Sequence, residues 1–316
     1  MRIAIIICTK DRPNELMHCY NSIKLQTYKS FYLIIVDASE ENRIQQDINL
    51  YQSEEIDITY VKSAPGLPFQ RNIGVSHVRP GTDIIIFLDD DTELTPDYVK
   101  TLAMKFNDDR NKLIIGACGN ALNEKKRKRI DRLIRNAFFI TDNATGKLLP
   151  SGDAGHIFSP QQDSKVAVLS GCNMCYRTEV FDRYNLKFDE NLNGYAIMED
   201  QDFSIRASRY GDLYQFAGAK LLHKVSPVAR INQKRLFEMY IINSYYLLKK
   251  NMAPNYRNYI CYSWRLVGKL IHAIANSIRF NSYEPLAGWI NGIIKINSLV
   301  KLLQEQPENS PPSTEK

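Results

Sequence analysis

The first third of the chain alternates short, continuous apolar runs with stretches of helical periodicity. Residues 2–7, 31–36, 56–61, 84–88 and 113–118 are apolar runs bounded by polar or turn residues, the pattern of strands buried on both faces. Residues 14–26 carry Leu16, Met17, Tyr20, Ile23 and Leu25 close to helical spacing, with Pro13 suited to a first turn. A polar helix is predicted over 41–51. Another holds Arg71 and Asn72 after the Pro65-Gly66-Leu67-Pro68 turn, and a third runs from Pro96 to Phe106. Strands alternating with such helices predict an α/β fold, a mixed, mainly parallel sheet with helices on both faces.

The alternation breaks at Asn123. Residues 124–135 hold seven basic side chains: Lys125, Lys126, Arg127, Lys128, Arg129, Arg132 and Arg135. The segment from there to Lys165 is rich in Gly, Ser and Asp and has no clear period. Regular structure returns at 166–169 and 171–177. An acidic knot, Glu199-Asp200-Gln201-Asp202, opens a helix predicted to reach Tyr210 and stop at Gly211. A short strand at 213–216 and then His223 follow. Beyond Val228, three helical stretches occupy 233–250, 255–279 and 285–304, and the polar, Pro-containing tail from Glu305 is predicted to be disordered. The divisions expected are 1–230, 231–304 and 305–316.

At 44% apolar and 24% charged residues, the 316-residue chain has material for a large buried core. Its formal charge of +6 belongs to the residues after 230. The six cysteines are scattered; Cys172 and Cys175 are spaced C-x-x-C, but no second pair completes a zinc site. There is neither a secretory leader nor an apolar run long enough to span a bilayer, so the expected location is cytoplasmic, with peripheral contact at the inner face of the membrane as an option. The C-terminal helices are amphipathic and basic, which suits packing on the catalytic domain, a homodimer or an anionic membrane surface. No nucleic-acid-binding motif accompanies the charge.

The candidate chemistry lies at strand ends, where open α/β sheets bind ligands. Thr9 to Arg12 end the first strand, Asp37 and Ser39 the second, and Asp89-Asp90-Asp91 the fourth. Asp11 and Asp37 could each simply cap a helix, but one cap needs only one carboxylate, so three in a row point to a divalent cation. Neither G-x-G-x-x-G nor a Walker motif occurs, which excludes those modes of NAD and ATP binding. Glu199 and Asp200 could cap their helix or supply a base, and Asp202 is placed to pair with Arg206. His223 is open between an ordinary half-buried histidine and a metal ligand.

These motifs, in this order, resemble family 2 glycosyltransferases of the GT-A fold: Ile-Ile-Ile-Cys-Thr-Lys-Asp-Arg, Val36-Asp37-Ala38-Ser39, Arg71-Asn72, Leu88-Asp89-Asp90-Asp91, Gly171-Cys172-Asn173-Met174, Phe188-Asp189-Glu190 and Glu199-Asp200-Gln201-Asp202. The resemblance covers about residues 1–226. It implies that Thr9 and the loop through Asp11 line a nucleotide pocket, and that Asp37 bonds the base. Arg71 is implied beside the base or the phosphates, and Asp89 and Asp90 on the nucleotide side. It further implies Asp91 and His223 as ligands of Mn²⁺ or Mg²⁺, Asp200 as catalytic base with Glu199 beside it, and the Gly171-Cys172-Asn173 turn on the sugar and acceptor side. The Gln-x-x-Arg-Trp element of processive members is absent, which implies transfer of one sugar, UDP-linked in most of the family, to a saccharide or lipid-linked saccharide of cell-surface polysaccharide. A sugar-phosphate nucleotidyltransferase and a non-catalytic binding module are the alternatives.

Overall fold

The computed structural model describes residues 1–40, 44, 56–192, 196–226 and 231–305, with side chains to 296. The polar helix expected over 41–51 and the disordered tail expected from 305 lie almost wholly outside these residues.

One nine-stranded sheet organises the chain, ordered β3-β2-β1-β4-β8-β6-β9-β5, with β7 paired to β9. The first four strands of that order are β3 (Ile58–Lys62), β2 (Phe31–Asp37), β1 (Ile3–Thr9) and β4 (Ile84–Asp89), and all pair in parallel. Then β8 (Met174–Arg177) runs antiparallel to both β4 and β6 (Ile114–Ala121). Strand β9 (Asp212–His223) lies parallel to β6, and β5 (Thr92–Leu94) and β7 (Ser164–Lys165) pair antiparallel with β9. The mixed, mainly parallel sheet is as the apolar runs predict.

Alternation along β1 divides the core. Ile3, Ile5 and Ile7 join Leu33, Ile35, Ile84 and Ile86 under α1 (Pro13–Lys24) and α3 (Tyr98–Asp108). Ala4 and Ile6 join Ile34, Val36, Ile85 and Phe87 on the other face, with α5 (Glu179–Asp182) and α6 (Glu199–Ala207) and the flank of α2 (Leu67–Ser76). Burial on both faces is why the runs are continuously apolar. Between them lies α4 (Arg129–Ala137); after β9 come α7 (Gln233–Asn251), α8 (Tyr256–Arg279) and α9 (Glu284–Glu305).

The sequence expectation fails at residues 166–169, which form no regular element, and at β9. The strand expected at 213–216 spans twelve residues, and its partner β6 shifts register twice beside it. Those irregularities and the small residues Ala217, Gly218 and Ala219 hide its period. Of the basic run, only the residues from Arg129 are helical.

Candidate active site

Asp89-Asp90-Asp91 leaves β4, and the chain turns at once into β5, whose Thr92 lies opposite His223 at the end of β9. The Lys224 N–H donates to the Asp91 carbonyl, closing this corner. His223 Nε2 thereby stands 3.1 Å from Asp91 Oδ1 and 3.9 Å from Asp89 Oδ2. One ligand atom from each of the three side chains lies within 4.8 Å of the others. Asp91 Oδ2 accepts the Ser226 N–H at 2.8 Å. Burial works against the Asp91 charge, but the His223 and Ser226 bonds outweigh it and hold the carboxyl below its usual range. Burial likewise opposes a charged His223, yet Asp91, the Cys172 thiol and Asp89 raise its pKa to about 11. Two carboxylates and an imidazole, with Asp91 Oδ1 buried beside that ring, fit a hard or borderline divalent cation such as Mn²⁺ or Mg²⁺.

Asp90 turns away from this triad. Its Oδ2 accepts the Thr9 hydroxyl at 2.8 Å and its Oδ1 accepts from Arg12 at 3.1 Å. Burial pushes the Asp90 carboxyl up, to about 7, against the pull of Arg12 and Thr9. Thr9 is itself buried, and its carbonyl accepts from Gln70 Nε2, which also reaches the Val36 carbonyl. The ends of β1 and β2 are thus tied to α2 and to β4. Asp11 sits at φ 55° and bridges to β2: its N–H donates to Ser39 Oγ at 2.7 Å, and its carboxylate accepts the Glu40 N–H at 3.3 Å. Asp37 is fully buried, with Oδ1 on the Ser39 N–H and Oδ2 receiving Tyr60 Oη at 2.7 Å and Lys62 Nζ at 3.5 Å.

The second acidic cluster lies at the start of α6. Arg71, 2% exposed, joins the two. One guanidinium nitrogen pairs with Glu199; the other lies 3.5 Å from Asp89 Oδ1 and donates to the Gly171 carbonyl at 3.0 Å. Phe188 underlies it, with the ring centroid 5.4 Å away. Burial raises the Glu199 carboxyl against the pull of Arg71, and the Asp200 charge adds to the rise. Asp200 is half-buried, accepting the Gly171 N–H at 3.0 Å and its own helix's Gln201 N–H at 2.8 Å. Met198, just before α6, holds φ 71°, a left-handed backbone unusual for its type that aims the helix start at Gly171. Asp202 is buried behind, on Arg206 and Asn251.

Residues 4–184, more than half of the chain, match the profile of the family described as Glycosyl transferase family 2. The chain belongs to that family. Its sequence is 22% identical over 295 residues to a teichoic acid poly(glycerol phosphate) polymerase of Staphylococcus epidermidis, covering 90% of this chain and 37% of the relative. The family 2 chain therefore spans little more than a third of that protein's length. Among solved structures, it is similar to S. aureus TarS 1–349 in complex with UDP-GlcNAc, with a TM-score of 0.59, 14% identity, and 92% and 79% of the two chains covered. It is also similar to the mannosyltransferase PcManGT of Pyrobaculum calidifontis in complex with GDP-Man and Mn²⁺, with a TM-score of 0.60, 10% identity, and 96% and 88% covered. At these identities the likeness is one of fold, and that fold is GT-A.

In this family 2 chain, Asp89, Asp91 and His223 come together, as do Glu199, Asp200, Arg71 and Gly171. Thr9 and Asp90 bond to each other, while Asp11 and Asp37 brace the end of β2. Sequence reasoning placed Arg12 only in the polar loop after β1, with no role of its own, and passed over Ser226, which also touches this cluster. Arg12 lies 3.9 Å from Asp91 Oδ2 as well as beside Asp90. Its place in the loop after β1 was its one signal; Ser226 offered none.

Proposed function

We propose that this chain is an inverting, metal-dependent glycosyltransferase moving one sugar from a nucleotide-sugar donor to a saccharide or lipid-linked saccharide of a cell-surface polymer. The observation that carries the reading is the division of labour between the acid clusters: Asp89, Asp91 and His223 converge on one point, while Asp200 stands half-buried at the start of α6 without an ion-pair partner among the described residues. The nucleotide sugars named with the TarS and PcManGT structures support such a donor, and the polymerase relative supports a cell-surface product.

Asp91, Asp89 and His223 would hold the cation, which when bound supplies positive charge against the donor's diphosphate. The Asp200 carboxylate takes the acceptor hydroxyl proton. The hydroxyl oxygen then bonds to the anomeric carbon as the bond to the nucleoside diphosphate breaks on the opposite face. Arg71 is too enclosed to reach substrate and acts as a positioning residue, fixing Asp89 relative to Glu199. The polar roof of Thr9, Asp11, Asp37 and Asp90 shapes the nucleotide side.

A screen of UDP-GlcNAc, GDP-mannose and other nucleotide sugars with Mn²⁺ or Mg²⁺ tests this, reading slow release of nucleoside diphosphate. Asp200→Asn should lower transfer by about 10²–10⁴-fold while donor binding persists. Unchanged transfer in that variant would remove Asp200 as base. Pyrophosphate release from a nucleoside triphosphate and a sugar phosphate would replace the reading with nucleotidyl transfer.

A further inference from the structure

Helix α8 carries a feature the transfer site does not use. Ile260, Trp264, Val267, Ile271, Ile274 and Ile278 recur every four or three residues, which aligns them in one stripe along the helix. Each is between 40% and 77% exposed, and the stripe contains no charged side chain. The opposite side is occupied: Tyr262, Arg265 and Ala273 are buried, and at the flank of the stripe Gly268 lies against Phe138 and Ile140 so closely that a Cβ would fall 2.5 Å from the Phe138 side chain. The exposed stripe is therefore the outer face of a helix already docked on its inner face.

This face continues into α4. The Trp264 indole N–H donates to the Ala137 carbonyl at 2.9 Å, and its ring stacks on Phe138 with centroids 5.4 Å apart. Helix α4 exposes Ile130, Leu133 and Ile134. Leading into and starting that helix, Lys125, Lys126, Lys128 and Arg129 are all exposed, and none of the four is in an ion pair among the described residues. Residues 231–305 add ten Lys and Arg against three Asp and Glu.

We infer that the α8 stripe and the basic edge of α4 form a docking surface for an anionic lipid membrane. Charge selects this occupant. A second copy of the chain would suit the spacing of the stripe, but the segment 231–305 offers only three acidic residues against ten basic ones to meet a basic edge. An anionic bilayer satisfies both halves: Ile, Val and Trp side chains enter the boundary between headgroups and acyl chains, and Lys and Arg meet lipid phosphates. No described helix is long and apolar enough to cross a membrane, so α8 lies along the surface.

The test is sedimentation of the full chain with phosphatidylcholine vesicles, with and without phosphatidylglycerol. The expected result is binding that requires phosphatidylglycerol and weakens with salt. Ile260→Glu with Ile271→Glu should abolish it. Lys125→Glu with Lys128→Glu, on a fully solvated segment, should weaken it by at least about tenfold. Circular dichroism and nucleotide-sugar hydrolysis should be unchanged in both. Absence of sedimentation with anionic vesicles overturns the inference, including the case in which light scattering finds a dimer that the isoleucine variant dissolves. Retention of binding by both variants overturns it as well. Because vesicle binding is read without any transfer, failure of the transferase reading leaves this result intact.

Discussion

Arg71 shows at the scale of one residue what couples the two acid clusters. It is the cation buried between Glu199 and Asp89, and its loss leaves carboxylates enclosed without compensation. Arg71→Met should destabilise the protein by about 3–5 kcal/mol, read as a lower urea midpoint. Adding Glu199→Gln should recover part of that loss, because the stranded charge goes with it; a double variant no more stable than the single one would show that Glu199 is not the partner that matters. His223 gives a second prediction. With its pKa raised to about 11, the ring is protonated at neutral pH before a cation arrives, and a ligating ring must be neutral. Metal binding should release a proton, so apparent affinity should rise with pH by up to about tenfold per unit below that value. Calorimetry of Mn²⁺ binding in two buffers of unlike ionisation heat measures the proton directly, and none released would take His223 out of the ligand set. The acids themselves were legible in the sequence as clusters at strand ends. Their pairing was not: Asp90 points opposite to Asp89 and Asp91, and Arg71 is 128 positions from Glu199, a contact that only the closed fold creates.

At the scale of elements, the turn before β8 sets the position of Asp200, the proposed base. Gly171 donates its N–H to Asp200 and lends its carbonyl to Arg71, so both backbone polar groups of that residue are engaged. A Cβ there would lie 3.1 Å from Asp200 Oδ2 and 3.2 Å from Glu199 Oε1. Gly171→Ala should therefore shift the start of α6 by a few tenths of an ångström. A fall in kcat of up to about 10²-fold is expected, with donor KM nearly kept, since small misplacements of a catalytic group are costly. Steady-state kinetics checks this; a change confined to KM would place the turn on the donor side instead. The early strands were readable because burial on both faces writes an unbroken apolar run. Strand β9 was read too short, and β5 and β7 were missed, because three- and two-residue strands owe their existence to β9 as a partner and not to a period of their own. Strand β9, paired to β5, brings His223 beside Asp89 and Asp91, so the parts of the fold hardest to read complete the candidate site.

For the whole molecule, the boundary drawn near residue 230 from composition meets a structure with strong polar links across it. Asp153, in the irregular segment after α4, pairs with Arg265 of α8 at 2.7 Å, with side chains 4% and 1% exposed, and accepts Tyr240 Oη of α7 at 3.2 Å. Asp202, directly behind the base, is held by Lys250 and Asn251 at 2.9 Å each, and Lys250 and Tyr246 both reach Asp189. Asn243 donates to the Ile197 carbonyl beside the strained Met198 turn. Removing the helices would strip the buried Asp153 of Arg265, a loss that costs about 3–5 kcal/mol, and would leave Asp202 with Arg206 alone. That one loss is already a large share of the net stability of about 5–15 kcal/mol that a domain has to lose. We propose that the C-terminal helices belong to the catalytic unit and hold α6, and with it Asp200, in place. The full chain should then unfold in a single calorimetric transition, and the fragment 1–230 should be insoluble or lack cooperative unfolding. Two resolved transitions, or a soluble fragment 1–230 that still hydrolyses a nucleotide sugar, would make the helices a separate appendage.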